Sequence, residues 1–298
     1  MVNYNWHLKR IINYEKRWVE KVSEDNVIRF TPYINAIFAD NSRKSFFLCG
    51  ANIDCFSYIY GIRGEVLVLN GDASGWASIY RSIQYMYYSV VFKMMVKFYQ
   101  PEQYFNLYGE LVDAANCLSA LITYELFDEA EYIGLFMQKS LAYPEYIDID
   151  FWNSRTFEPF IYQLYSMYGT TKIDPRLVSR DLGVYSGVIR FWDDPVQLTS
   201  VMIDLCNYHC KKMWDYTGIS MPEFFNAPFA LVPFEILAIY KLRDRLGLPT
   251  PRIDHPLMNS PLVQFYPTKF EGKDAVLTRL QEQIDHYFPA EIRMKSNE

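Results

Sequence analysis

The stretch Trp76–Phe98, WASIYRSIQYMYYSVVFKMMVKF, decides the fold. Trp76, Tyr80, Ile83, Tyr87, Val90, Met94 and Phe98 recur at steps of four, three, four, three, four and four, which places them on one face of an α-helix. Ile79, Val91 and Met95 widen that stripe. A long helix over about 73–100, ending before Pro101, is therefore expected as a central strut with neighbours on more than one side. Arg81, Lys93 and Lys97 interrupt it, and the chain contains no run of eighteen uncharged apolar residues, so it reads as a core helix and not as a membrane span.

Elements on either side follow the same period. Trp6, Ile11, Tyr14, Trp18 and Val22 predict a helix over 3–24, and one or two more are expected at about 31–40 and 42–60. The short run Glu65–Leu69, between Gly64 and Gly71, is the one candidate β-strand. Residues 104–126 and 128–141 predict a helical hairpin. There, Asp128 and Glu131 fit a capping box and Phe127 a hydrophobic staple. A helix is expected over about 154–168, stopping at Gly169, and a short one from Asp174-Pro175. Asp194-Pro195 opens a longer one through Trp214, and Pro233 and Gly247 bracket another at 233–246. An extended, proline-punctuated segment from Pro249 to Pro261 should lie against the helices, and a last helix covers about 272–287. No 34-residue period repeats, which argues against a solenoid. The expectation is an all-α, irregular multi-helix array: one domain over 1–298, or two closely packed subdomains, 1–126 and 127–298.

Composition narrows the function. Half of the 298 residues are apolar and 21% charged, which excludes a disordered chain. A net charge of −6 without clustered Lys/Arg argues against nucleic acid as a partner. The N-terminus carries no apolar signal region, and five scattered cysteines fit reduced thiols in a cytoplasm. Cys206, His209 and Cys210 are the best-spaced metal candidate, but a fourth ligand is missing apart from His255 or a distant Cys, so a satisfied core cluster is the preferred reading. Asp193 and Asp194 lack the further acid of a terpene-synthase motif, with Gln197 in its place, and suit helix capping. GIRGEVLVLNG (61–71) has glycines but no phosphate-loop ending. No catalytic residue, metal or cofactor is assigned.

Charge is unevenly distributed. Residues 125–150 hold seven acids against one base, Lys139, so that window carries the net charge of the whole chain, and the remainder is balanced. Such a surface draws a basic partner. Asp128, Glu129, Glu131, Glu145, Asp148 and Asp150 are the residues expected to steer it, with Tyr132, Tyr146 and Trp152 as anchors. A solvated face is the competing account, because Asp128, Glu129 and Glu131 also suit the first turn of a helix.

The run PFALVPFEILAIYKLRDRLGLPTPRIDHPLMNSPL (228–262), after the helix with CNYHCKKMW (206–214), resembles the end of helical immunity proteins encoded beside bacterial polymorphic toxins, including type VI secretion effectors. The features that carry the resemblance are the Pro-Phe-Glu helix start, Leu-Arg-Asp-Arg-Leu-Gly and the loop His255–Met258, within about residues 150–262. It implies a cytoplasmic, non-enzymatic protein that binds one cognate toxin, often a basic nuclease. It carries over no catalytic residues, and it implies structural roles for Pro233, Gly247 and His255. The rival expectations are a helical enzyme with an aromatic pocket and a scaffold or adaptor whose partner is not a toxin.

Overall fold

The computed structural model describes residues 43–99, 108–141, 149–167, 180–213, 223–224, 226–264 and 274–287, with single positions at 9, 12, 13, 32, 35 and 39. The described residues form α-helices and no strand: α1 Arg43–Leu69, α2 Gly75–Tyr99, α3 Tyr108–Thr123, α4 Phe127–Leu141, α5 Ile149–Ser154, α6 Phe157–Ser166, α7 Ser186–Arg190, α8 Pro195–Lys212, α9 Phe234–Arg245 and α10 Ala275–Tyr287. A 3₁₀ turn, Gly183–Tyr185, precedes α7. The all-α expectation holds. The helix expected from 174 onward and the stop at Gly169 lie outside the described residues, as does the helix expected at 3–24 apart from positions 9, 12 and 13, which are helical. None of the described helices is long and apolar enough to cross a membrane.

The expected strand at Glu65–Leu69 is instead the last turn and a half of α1. Its flanking Gly64 is not a boundary but a contact. A Cβ on Gly64 would lie 2.7 Å from the Gly75 carbonyl oxygen and 2.5 Å from Ile79 Cγ1, and one on Gly75 would lie 2.5 Å from the Gly64 carbonyl oxygen. The two glycines thus let α1 and α2 approach at their shared turn, and a short apolar run that could serve either structure is held helical by that packing.

Further along this hairpin, small hydroxyl residues replace apolar ones. Ser57 Oγ donates to Ser82 O at 2.9 Å and Ser82 Oγ donates to Ser57 O at 2.6 Å, a reciprocal pair buried between the helices. Ser89 Oγ donates to Gly50 O at 2.9 Å and to Asp54. Lys93 then ties three helices together, bonding Asp54 of α1 and Asp113 of α3, the latter at 3.1 Å.

The most enclosed helix is α3. Ala114, Ala115, Cys117, Leu118, Ala120 and Ile122 have no exposed surface, and α3 packs against α2, α4, α6 and α9. It therefore shares the central role expected of α2 alone. Its core is rich in alanine, so it lacks the large-residue stripe by which a buried helix announces itself.

Local signals at other helix ends behave as chemistry requires. Asp194 caps α8, accepting from Val196 N at 3.0 Å and Gln197 N at 3.1 Å, with Pro195 at the first position. Gly247, at φ +68°, closes α9: its N–H bonds Asp244 O and the N–H of Leu248 bonds Arg243 O, both at 2.9 Å. Asp274 caps α10, accepting from Leu277 N at 2.8 Å, and also receives Tyr85 Oη and Arg81 from α2, each at 2.8 Å. The segment after α9 lies on the helices as expected, with Ile253, Leu257 and Leu262 buried and its Pro251 carbonyl bonded by Tyr240, but from Pro256 onward it folds into hydrogen-bonded turns and is not extended. His255 Nδ1 accepts from Leu257 N at 3.2 Å, so it holds that loop.

The glycine contact gives a direct test. Gly64→Ala should cost about 1–3 kcal/mol by overpacking. Gly109→Ala, where a Cβ meets nothing within 4 Å, should be neutral or slightly stabilising. Urea unfolding midpoints of both variants measure the difference.

Candidate functional site at the turn between α3 and α4

The acidic window begins where α3 ends. Leu126 N bonds Leu121 O at 2.9 Å and Glu125 N bonds Ile122 O at 3.0 Å, leaving Glu125 in the left-handed region at φ 58°. Ala130 N bonds Leu126 O at 2.9 Å, so α4 begins two residues earlier than the capping box implied, and Asp128 sits within the first turn and not at the cap. Phe127 packs under the Arg245 guanidinium, 4.0 Å from its ring centre.

Glu125 and Asp128 are exposed, and Glu129 and Glu131 are half-buried. Glu125 Oε1 is 3.5 Å from Lys241 Nζ on α9. Glu129 faces α2: burial first, and then its charge, push the Tyr80 and Tyr88 phenols up. The first turn of α4 therefore meets the basic last turn of α9, with Arg245 and Lys241 nearby. The acids also complement the positive end of their own helix.

Beside this turn an open groove of about 510 Å³ runs along α9. Leu237, Leu248, Pro249 and Val263 give it apolar walls, and Lys241 and Asp244 stand among them. Thr123, the last residue of α3, also lines it, and the wall residue Lys241 is the one that pairs with Glu125.

The other residues expected at the site divide. Tyr132 is half-buried, its ring edge-on to Tyr87 at 6.4 Å and to Phe136 at 5.4 Å. Trp152 is 5% exposed, with Arg180 5.5 Å over its ring and bonded to its carbonyl, so that ring serves the interior and offers no surface anchor. Glu145, Tyr146 and Asp148 lie outside the described residues, and of Asp150 only its place in α5 is described.

Groups with possible chemistry are engaged internally. His209 is fully buried and stacked on Phe224 at 4.4 Å. Its Nδ1 lies 2.7 Å from Glu235 Oε1 and its Nε2 3.1 Å from Ala230 O. Both ring nitrogens lie against protein oxygens, so neither is open to a metal ion. Burial pushes the Cys210 thiol up to about 12 and the Cys206 thiol higher still, so both stay protonated at neutral pH. No group of three or more His, Cys, Asp or Glu among the described residues could hold a metal ion.

Sequence reading missed two polar clusters. One is Lys93 with Asp54 and Asp113, far apart in the chain. The other joins Arg155 to Glu158 at 2.5 Å, Arg155 to Glu223 at 3.7 Å and Tyr208 to Glu223 at 2.9 Å. Only the Arg155–Glu158 pair, three apart, left a local signal.

Comparison with protein-family models, curated proteins and solved structures finds no match to this chain.

Two predictions follow from the buried charges. His209→Ala should cost about 3–5 kcal/mol by leaving the Glu235 carboxylate buried and unpaired, and adding Glu235→Leu should recover part of that loss in chemical denaturation. Burial raises the Asp113 carboxyl to about 6, against the pull of Lys93 and with the push of Asp54. A folded value above the unfolded one means that Asp113 favours folding most below about pH 4, a benefit lost as pH rises through about 6. Relative to the wild type, Asp113→Asn should therefore gain stability between pH 4 and 7, and a carboxyl NMR titration should place the Asp113 midpoint near the upper value.

Proposed function

We propose that this protein is a cytoplasmic immunity protein that binds a cognate bacterial toxin, a basic nuclease effector, and neutralises it as a stoichiometric complex without catalysis of its own. The observation that carries this reading is the exposed acidic turn linked through Glu125–Lys241 to the wall of the open α9 groove, in the window that holds the net charge of the chain. Apolar walls supply area to bury, and carboxylates at the rim supply steering toward a cationic surface. The internal engagement of His209, Cys206 and Cys210 also favours binding over chemistry. Glu125 is partly neutralised by Lys241, so within the described part of the window Asp128 is the acid best placed to act outward. Tyr132 contributes the edge of a half-buried ring, and Trp152 acts from within by fixing Arg180.

The test is to co-express the chain with the product of the adjacent gene. Rescue of growth and co-purification at one-to-one stoichiometry are expected, and a harmless or non-binding neighbour would refute the proposal. Within a confirmed complex, Asp128→Lys combined with Asp244→Lys should slow association by about 10-fold at low ionic strength and by much less in 0.5 M salt. An unchanged on-rate would remove this face from the interface.

A further inference from the structure

Asp244 stands in the groove along α9 without a partner of its own. Lys241 lies three positions before it, a spacing at which opposite charges pair on a helix, but the Lys241 ammonium turns to Glu125 at 3.5 Å. Arg245, the next base, is held over the Phe127 ring, 4.0 Å from its centre. Asp244 is exposed, and its side chain makes no hydrogen bond or ion pair with a described residue.

The other polar groups of the groove are largely engaged. Thr123 Oγ1 donates to Ser119 O at 2.9 Å, and Tyr240 Oη donates to Pro251 O at 3.1 Å. With Lys241 matched by Glu125, the Asp244 carboxylate is the uncompensated charge of the lining, and the Thr250 hydroxyl is the other polar group there without a partner among the described residues. Leu237, Leu248, Pro249 and Val263 make the remaining surface apolar. An occupant that satisfies this lining is apolar along its body and cationic at one end.

Shape sets its length. Leu237 and Asp244 both line the groove from α9, and their separation in the helix corresponds to about two turns, or about 10 Å along the axis. That span suits about three residues of polyproline II chain at about 3.1 Å each, a conformation in which residues i and i+3 share a face. The groove is open along one side, which admits a segment of a longer chain.

We infer that the α9 groove holds a short extended segment of a partner protein, in which an aliphatic side chain seats against Leu237 and a lysine or arginine three positions on pairs with Asp244. This names what the groove recognises and rests on reading it as a docking face, but it does not require the partner to be a toxin.

The probes are two synthetic peptides, acetyl-Gly-Leu-Pro-Pro-Lys-Gly-amide and its counterpart with glutamate in place of lysine, titrated into the full chain carrying ¹³C-labelled Leu and Val methyl groups. At millimolar concentration the lysine peptide should shift the Leu237, Leu248 and Val263 methyl signals, and the glutamate peptide should bind about 10-fold more weakly. Asp244→Asn should weaken the lysine peptide by about 5–10-fold and leave the glutamate peptide no weaker. Methyl signals that stay in place, or two peptides that bind the wild type equally well, would overturn the inference, and this comparison decides it even if the variant fails to fold. Dimerisation of the peptide-free chain that shifts the same methyl signals would assign the groove to a second copy and overturn it too. A toxin captured in co-expression by a chain whose groove rejects the peptide would refute this inference alone. Peptide capture beside a harmless neighbouring gene product would refute the toxin reading alone.

Discussion

Close approach of helix backbones is the constraint on which this structure depends. Ala114, Ala115 and Ala120 leave α3 with little side chain to hold its neighbours away, and α2, α4, α6 and α9 all pack on it. Gly64 and Gly75 do the same for α1 and α2, and Gly134 leaves room on α4 for the Tyr165 ring. Tight packing of this kind tolerates little change in volume. It also brings polar groups of different helices within bonding distance, so the serines, Lys93 and the buried carboxylates find partners on neighbouring elements.

That origin explains what could be read from the sequence and what could not. The start of α8 and the end of α9 depend on chemistry within four residues, and Asp194-Pro195 and Gly247 declared them. The long aromatic period of α2 is likewise local. The stretch Glu65–Leu69 was misread because the partner of Gly64 is Gly75, across a turn, and two glycines around an apolar run look the same whether they end a strand or seat a helix. The central place of α3 was invisible for a related reason: alanine has too little hydrophobicity to mark a stripe.

At the candidate site the same division applies. Acid content was legible, and the structure does place Asp128 on the surface. What each acid faces was not. Glu125 meets Lys241, Glu129 turns toward the tyrosines of α2, and Trp152 lies under Arg180, all through contacts with distant parts of the chain. A composition argument counts charges; only the packing says which of them remain available to a partner.

The acids at the start of α4 have two uses within the fold, to which the proposed function adds a third. Complementing the helix end and pairing with α9 stabilise the turn at short range, and both are satisfied within the chain. Short-range pairing does not cancel the field of the window, because seven acids face one lysine in that stretch and the bases of α9 are few. A rigid turn whose near contacts are satisfied, but whose far field stays negative, can meet a cationic protein without rearranging. Preorganisation of that kind reduces the ordering cost of association, which buried area alone does not do. The groove beside it then needs only to exclude water from an apolar surface, a task for which Leu237, Leu248 and Val263 are already in position.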